Sequence, residues 1–280
     1  MPLSTAFPAL TVQLVAAFEA AELAGELSLN NTVVRFALSS AMAVAIKNYY
    51  TQALVTTKGY VDPSQPDLLG GRTSIKRNCQ GTGILVEAGG VSNLRKSIDT
   101  ALEAAETAGQ EDDNSDQVIA DLAEAMAKAV HKYFTSVKVV TTVIIPSGGN
   151  SVGSPAATAK PIANITSPGA ATGSGKVKFP MTVPTVANPI LYAGCRAAYE
   201  AAREAGTQGA GVPATVAILA AGLSAAFHAY TKFAVVETSV TVPGGQVVVG
   251  YQMLVPGGPP APLPPTVTGP WKGDAEGKLS

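Results

Sequence analysis

The sequence predicts an α+β fold of three tandem repeats in a pseudo-threefold arrangement. Each repeat is an αα-hairpin followed by two β-strands that a long Gly/Pro/Ser/Thr-rich loop joins. Three observations predict this fold: a helical segment returns twice at fixed spacing, a Thr/Val-rich stretch follows each copy, and a glycine-flanked strand closes each unit. The 280 residues, 46% of them apolar, then divide into units at 1–88, 89–180 and 181–280.

The clearest repeated segment is the second helix of each unit, which spans Phe36 to Thr57 in the first unit. It returns without a gap after shifts of 84 and 181 residues, counted along the printed sequence. The matched positions are spaced i, i+4, i+8 and i+11, so they share one face and predict an amphipathic helix. In chain order the matched sets are Leu38, Leu122 and Leu219; Met42, Met126 and Leu223; Ile46, Val130 and Phe227; and Tyr49, Tyr133 and Tyr230.

The first helix of each unit carries a second repeated motif. In the first unit this helix spans Thr11 to Gly25 and ends in Glu-Ala-Ala-Glu-Leu-Ala-Gly, which returns with few changes at 103–109 and 200–206. Glycine at the end of each copy is the residue expected to stop a helix. Because alanine-rich faces let two helices approach closely, each unit is expected to contain a tight αα-hairpin.

Strand-forming segments follow each helix pair. Residues of high β-propensity favour strands at Leu54–Thr57, Val137–Ile145 and Val235–Val242, and closing strands are expected at Gly81–Val86, Gly175–Phe179 and Gly277–Ser280. The loops Ser147–Ser174 and Pro256–Pro270 are expected to be extended arms or mobile linkers. A two-stranded ribbon is marginal alone, so the strands are expected to pair between units or between subunits, with edges exposed in a lone chain.

Charge and hydropathy exclude several classes of partner. Charged residues make up 14% of the chain and the net charge is −1, which argues against a protein that binds a phosphate backbone. The N-terminus has no basic region and Glu19 interrupts its apolar run, so no signal peptide is expected and the protein is expected to stay soluble. The uncharged segment Gly211–Thr231 has the hydropathy of a membrane span, but its repeat equivalents carry Lys47 and Asp121, which favours a core helix.

The two cysteines and two histidines are expected to be structural. Cys79 and Cys195 occupy different repeat positions, so no disulfide is expected, and Cys195 is predicted to be a buried apolar thiol. His131 and His228 share one repeat position, about 140° around the helix from Met42. Neither has Asp, Glu, Cys or His at ligand spacing, so both are predicted to be polar flank residues, with His131→Ala nearly silent for stability.

Two glycine-rich motifs fail the requirements of nucleotide loops. Gly175-Lys176 would need a glycine where Ala170 stands to form a phosphate loop. The stretch Gly206–Gly211 follows a helix, whereas a dinucleotide fingerprint must follow a strand, so a turn is predicted.

The acidic run Glu111–Asp116 has two interpretations. Its oxygens could attract a divalent cation, but it lacks the glycine and terminal glutamate of an EF-hand loop. A solvated turn with a helix cap at Ser115 or Asp116 is favoured. The sequence therefore predicts no catalytic residue, no cofactor-binding residue, no cofactor and no metal ligand.

The second unit carries a family resemblance. It reads AKAVHKYFTSVKVVTTVIIPSGG and later SPGAATGSGKV, a helix followed by a Thr/Val strand, an Ala/Gly/Thr/Pro loop and a G-x-G strand. This pattern resembles small structural proteins encoded among the virion genes of tailed bacteriophages, in which the unit generally occurs once per chain. The resemblance implies a particle component with no active-site residues, here as a fused trimer.

The leading expectation is a non-enzymatic structural protein of a virion, made in the host cytoplasm. It would belong to the tail, baseplate or neck, or decorate the capsid, and would contact copies of itself and other virion proteins. No nucleic acid, membrane or small-molecule partner is expected. An adhesin or binding module that uses the inter-strand loops is the alternative, and an enzyme would need a site made between units.

Overall fold

The computed structural model describes residues 3–27, 30–62, 65–66, 72–73, 77–87, 90–110, 114–145, 162–165, 169–179, 189–242, 247–252, 261–262, 266–267 and 271–279. Within these residues the protein is a mixed α and β structure, with six helices and a closed six-stranded barrel. Each of the three αα-hairpins leads into barrel strands, so the helices lie at one end of the barrel.

The six helices pack side by side in a closed ring. Each contacts its neighbours in the chain, and the first contacts the last. The helices are α1 (Leu3–Glu26), α2 (Asn31–Thr51), α3 (Val91–Gln110), α4 (Ser115–Ser136), α5 (Pro189–Thr207) and α6 (Val212–Thr231).

The helix boundaries differ from the predicted ones at both ends. α1 begins at Leu3 and contains Pro8, well before the predicted start at Thr11. α2 begins after Asn30, whose side chain accepts a hydrogen bond from the backbone of Val33, as expected of an N-cap. The second helix was predicted to reach Thr57 but ends at Thr51, and the strand predicted at Leu54–Thr57 is confirmed by its pairing with β4.

The predicted helical faces are confirmed by burial. Met42, Ile46 and Tyr49 on α2 are almost fully buried, and their equivalents on α4 and α6 are buried as well. Leu38 is only partly buried, in the half of α2 that lies away from the barrel. The inward stripes of the helices therefore form one shared core above the barrel mouth.

Six strands close the barrel, and every pair is antiparallel. Around the barrel the order is β1, β12, β8, β7, β5, β4 and back to β1. These strands have no free edge, so the prediction that a lone chain exposes strand edges was wrong for them. The barrel strands are β1 (Leu54–Asp62), β4 (Arg77–Val86), β5 (Lys138–Ile145), β7 (Gly169–Lys178), β8 (Val235–Val242) and β12 (Trp271–Leu279).

The same pairing register recurs around the barrel. Within the three hairpins the inward-facing pairs are Thr57 with Gly81, Thr141 with Gly173, and Thr238 with Ala275. Between hairpins Gly81 pairs with Val143, Gly173 with Val240, and Ala275 with Gly59. The helices are attached at one end of these strands. The two strands of each hairpin are therefore connected at the opposite end of the barrel.

Three glycines let neighbouring strands approach closely. A Cβ atom on Gly83 would lie 2.1 Å from the carbonyl oxygen of Val140, and one on Gly175 would lie 1.9 Å from that of Glu237. Gly277 stands in the same relation to Thr56, at 1.9 Å. The barrel can therefore close with so few strands only where these residues have no side chain.

The predicted loops contain further strands. Outside the barrel the described chain contains six short strands: β2 (Gln65–Pro66), β3 (Arg72–Thr73), β6 (Ile162–Ile165), β9 (Val247–Gln252), β10 (Ala261–Pro262) and β11 (Thr266–Val267). β6, β10 and β11 all pair with β9, and β2 pairs with β3.

The prediction that Ser147–Ser174 forms an arm was therefore wrong for β6 and for the first half of β7. It was also wrong for β10 and β11 within Pro256–Pro270. The rest of both predicted loops lies outside the described residues.

Both cysteines are free and buried, as predicted for Cys195. Cys195 packs in the helical core, where burial raises its pKa to about 12. Cys79 lies on β4, and burial raises its pKa as well. Neither thiol is therefore a reactive thiolate near neutral pH.

Candidate functional site

The two histidines bind tyrosines of neighbouring second helices. Nδ1 of His131 on α4 lies 2.5 Å from Oη of Tyr230 on α6. Nδ1 of His228 on α6 lies 2.8 Å from Oη of Tyr49 on α2. The repeat position predicted to be a polar flank thus joins the second helices of consecutive αα-hairpins at the barrel end of the ring.

Both imidazoles are half-buried among aromatic rings. The ring of His131 meets the ring of Phe179 edge-on at 5.9 Å, and the ring of Phe7 lies 4.9 Å from that of His228. Removing His131 would leave the hydroxyl of Tyr230 without its partner in a buried place. The expectation that His131→Ala is nearly silent therefore does not fit this geometry, and a cost of about 1–2 kcal/mol is expected instead.

The equivalent position on α2 is Lys47, which makes a different contact. Its Nζ lies 3.3 Å from Oε2 of Glu87, while Oε1 of Glu87 accepts a hydrogen bond from the backbone of Val91 at the start of α3. Oη of Tyr133, which corresponds to the two histidine-bound tyrosines, is buried with no partner among the described residues. Burial and the nearby Glu87 raise the pKa of Tyr133.

Aromatic rings fill the middle of this cluster. Tyr50 stacks on Phe134 with ring centres 3.9 Å apart, and Phe179 stacks on Tyr230 at 4.2 Å. The hydroxyl of Tyr50 donates to the backbone oxygen of Phe134. The tyrosines are therefore parts of a packed core. Burial in this core raises the pKa of Tyr49 to about 12.

The lowered pKa values of the two histidines predict how the stability of the fold depends on pH. Burial lowers the pKa of His131, and burial followed by the nearby Lys232 lowers that of His228. As the pH falls, the two histidines therefore take up protons in the unfolded chain before they do so in the folded protein. Their neutral forms stabilise the fold fully above about pH 6.5, and this stabilisation declines below that pH. Thermal melts between about pH 8 and pH 5 should show this decline.

A double variant isolates the histidine contribution. His131→Gln with His228→Gln removes both imidazoles but keeps polar side chains, so its melting temperature should fall less between pH 7 and pH 5.5 than that of the wild type, a window chosen to bracket the usual histidine pKa of about 6.5. An equal fall in both proteins would show that other groups cause the pH dependence.

Charged side chains join consecutive αα-hairpins at the outer end of the helix ring. The guanidinium of Arg35 on α2 lies 2.7 Å from the carboxylate of Glu106 and 3.0 Å from that of Glu103 on α3. Both glutamates belong to the repeated Glu-Ala-Ala-Glu motif. Arg203 of the same motif on α5 binds Ser115 and Asp116 at the start of α4.

The predicted helix cap at Ser115 or Asp116 was wrong, because both of these side chains bind Arg203. Asn114, rather than Ser115 or Asp116, caps α4, and its side chain accepts from the backbone of Asp116 at 3.0 Å. Residues 111–113 of the acidic run lie outside the described residues. Across the described part of the chain, no group of three or more His, Cys, Asp or Glu side chains could hold a metal ion.

The predicted turn at Gly206–Gly211 is confirmed. α5 ends at Thr207, and Gly209 adopts a positive φ of 85° before α6 begins. Lys176 lies on β7 beside Glu237 of β8, within the barrel wall. Neither motif therefore lies in a nucleotide loop.

The exposed sides of the second helices differ in polarity. On α4 the exposed side carries Asp121 and Lys128, with Lys128 paired to Glu124. At the corresponding turns α2 exposes Val44, and α6 exposes Ile218. The inner side of α6 packs in the shared core, as predicted for a core helix, and its outer side is apolar as well.

The apolar sides of three helices adjoin one another. α1 contacts both α6 and α2, and it exposes Val12 and Leu23. We name the exposed sides of α6, α1 and α2 the outer face. A groove of about 540 Å³ runs between α1 and α2 within it, lined mostly by alanines. By length and composition alone, α1 and α6 could each cross a membrane, and both pack within the helix ring.

Comparison with known proteins gives no family for this chain. No family model and no curated protein matches the sequence, and no solved structure matches the fold.

Proposed function

We propose that the protein is a non-enzymatic structural component of a tailed-bacteriophage virion, in the tail, baseplate or neck or on the capsid surface. One observation carries the proposal. His131 and His228 bind Tyr230 and Tyr49, and Arg35 binds glutamates of α3, while the middle of the outer face is apolar and exposed. Exposed apolar surface of this extent is typical of protein interfaces.

We also propose that the chain is a fused trimer, with units at 1–88, 89–180 and 181–280 around a pseudo-threefold axis. The recurring barrel register supports this arrangement. So does the sequence equivalence of the two His–Tyr pairs, each of which joins one proposed unit to the next. If an experimental structure showed the α5–α6 pair crossing in another hand or register than the α1–α2 pair, the repeat proposal would be wrong.

The virion role is tested by following the chain into particles. The gene is expressed with its genomic neighbours, and particles are purified on a density gradient. Mass spectrometry should find the chain at a fixed stoichiometry, and electron microscopy of the particle should place it. A chain that stays in the soluble fraction while particles assemble would contradict the proposal.

A deletion separates the assembly role from folding. Removing Ser151–Pro168, which contains β6, should leave the helical circular dichroism signal intact, because β6 lies outside the barrel. Incorporation into particles should be impaired. Incorporation equal to that of the wild type would count against a role for this connection.

The binding-module alternative is favoured by one observation. The three connections within the hairpins leave the same end of the barrel, where loops could together contact a ligand. Labelled protein incubated with host cells should not bind if the virion role is the only one. Binding that the Ser151–Pro168 deletion abolishes would favour the adhesin alternative.

A further inference from the structure

The outer face is apolar along the middle of three adjacent helices. α1 lies at its centre, with α6 on one side and α2 on the other. Val12 is 68% exposed on α1 and Val44 is 47% exposed on α2, while Ala221 and Ala225 continue the exposed stripe on α6. None of these side chains is charged, so water meets a continuous apolar strip.

The two ends of the same face carry opposite charges. Glu19 and Glu26 are exposed on the last two turns of α1, which is the end away from the barrel. Lys232 is exposed just after α6, at the end next to the barrel. The face is therefore acidic at one end, uncharged in the middle and basic at the other end.

We propose that this outer face binds the same face of a second copy, with the two α1 helices antiparallel across a twofold axis. A twofold axis brings each surface against itself in reverse, so the acidic end of one copy meets Lys232 of the other. A parallel arrangement would instead set the glutamates of both copies against each other. The charge pattern therefore selects the antiparallel dimer.

The size of the face fits a stable dimer. Helices of about 20 residues are roughly 30 Å long, and three neighbours at spacings of about 10 Å span a strip of roughly 25 Å, on the order of 800 Å² per copy. A standard protein interface buries about this much on each side. The groove between α1 and α2 offers room for apolar side chains of the second copy.

A lipid surface fits the same face less well. α1 and α6 have the length and composition of membrane spans, but insertion of the outer face would carry Glu19 and Glu26 towards hydrocarbon without partners. In the dimer these carboxylates meet lysines and stay hydrated at the rim. The dimer goes beyond the proposed function, because it concerns the isolated chain and requires no particle.

The first test measures the mass of the purified full chain in solution. Sedimentation velocity at about 50 µM should give twice the chain mass of 28.3 kDa. Ala16→Glu, on the exposed side of α1, should raise the dimer Kd about tenfold or more, since it places charge in the apolar middle. Thr100→Glu is the matched control at the equivalent exposed position of α3 and should leave the dimer intact.

The second test addresses the orientation. Glu19→Lys and Lys232→Glu should each weaken the dimer several-fold, because each sets like charges together. The double variant restores opposite charges and should recover most of the affinity. An antiparallel pairing alone predicts this recovery, whereas general damage to the helices would add in the double variant.

Three outcomes would overturn the proposal. They are a wild-type chain that is a monomer at this concentration, equal weakening by Ala16→Glu and Thr100→Glu, and no recovery in the double variant. Flotation with vesicles of phosphatidylethanolamine and phosphatidylglycerol, by a chain that is monomeric without them, would assign the face to lipid instead. If the chain does not form the dimer, its incorporation into particles can still be measured. The dimer and the virion role are therefore tested separately.

Discussion

Gly175→Ala is expected to lower the free energy of unfolding by about 3 kcal/mol or more, enough to prevent folding of a marginally stable chain. The added Cβ would lie 1.9 Å from the carbonyl oxygen of Glu237 and 2.7 Å from Cα of Thr238. Both are backbone atoms of the paired strand, so relief requires the two strands to move apart. Urea denaturation followed by circular dichroism measures the loss.

A helical glycine supplies the control for this substitution. A Cβ on Gly109, near the end of α3, would meet nothing within 4 Å. Gly109→Ala should therefore be neutral or stabilise the protein by up to about 1 kcal/mol, since alanine has the higher helix propensity. If Gly175→Ala and Gly109→Ala have the same urea midpoint, the two strands at Gly175 are farther apart than the structure places them.

Met126→Asp is expected to be equally severe, at about 4 kcal/mol. Met126 is fully buried on the inner side of α4, so the substitution places a carboxylate in the apolar core and leaves a cavity. Lys128→Asp, two residues along on the exposed side, breaks only the pair with Glu124 and should cost about 1 kcal/mol at most.

Thermal melts of the two variants give the comparison. Equal melting temperatures would mean that the inner and outer sides of α4 are assigned the wrong way round.

The helical half of the fold could be predicted because its signal is local. Spacings of four residues between Met42, Ile46 and their equivalents place them on one side of a helix whatever surrounds it. The strand at Leu54–Thr57 was predicted from its β-branched residues, but the second helix was extended too far, to Thr57 instead of Thr51. The pairing of this strand with β4 and β12 is not encoded in the local sequence.

The closed barrel could not be predicted from the same kind of signal. Gly169 to Ser174 read as a loop, because glycine, alanine and serine have low strand propensity. In the barrel Gly173 of this segment faces inward, where a Cβ atom would lie 2.2 Å from Oγ1 of Thr141 on the next strand. The glycine, alanine and serine content that normally indicates a loop is explained here by the close packing of the barrel strands.

The site was missed for a related reason. The tyrosines that bind the imidazoles of His131 and His228 lie in other units, so spacing along the chain gave the histidines no role. Their tyrosine partners lie 99 and 179 residues away in sequence. The equivalence of the His and Tyr positions was visible, but only the packing of one helix hairpin against the next brings them into contact.

The antiparallel pairing of β12 with both β1 and β8 has a consequence for biosynthesis. On the ribosome, β1 emerges more than two hundred residues before β12, which covers its second edge, so a nascent chain carries an unpaired strand edge until β12 has been made. Closing so long a loop is slow, and open edges on neighbouring ribosomes can pair with each other in the meantime. Synthesis of β12 thus ends the period in which the open edge of β1 makes nascent chains prone to aggregate.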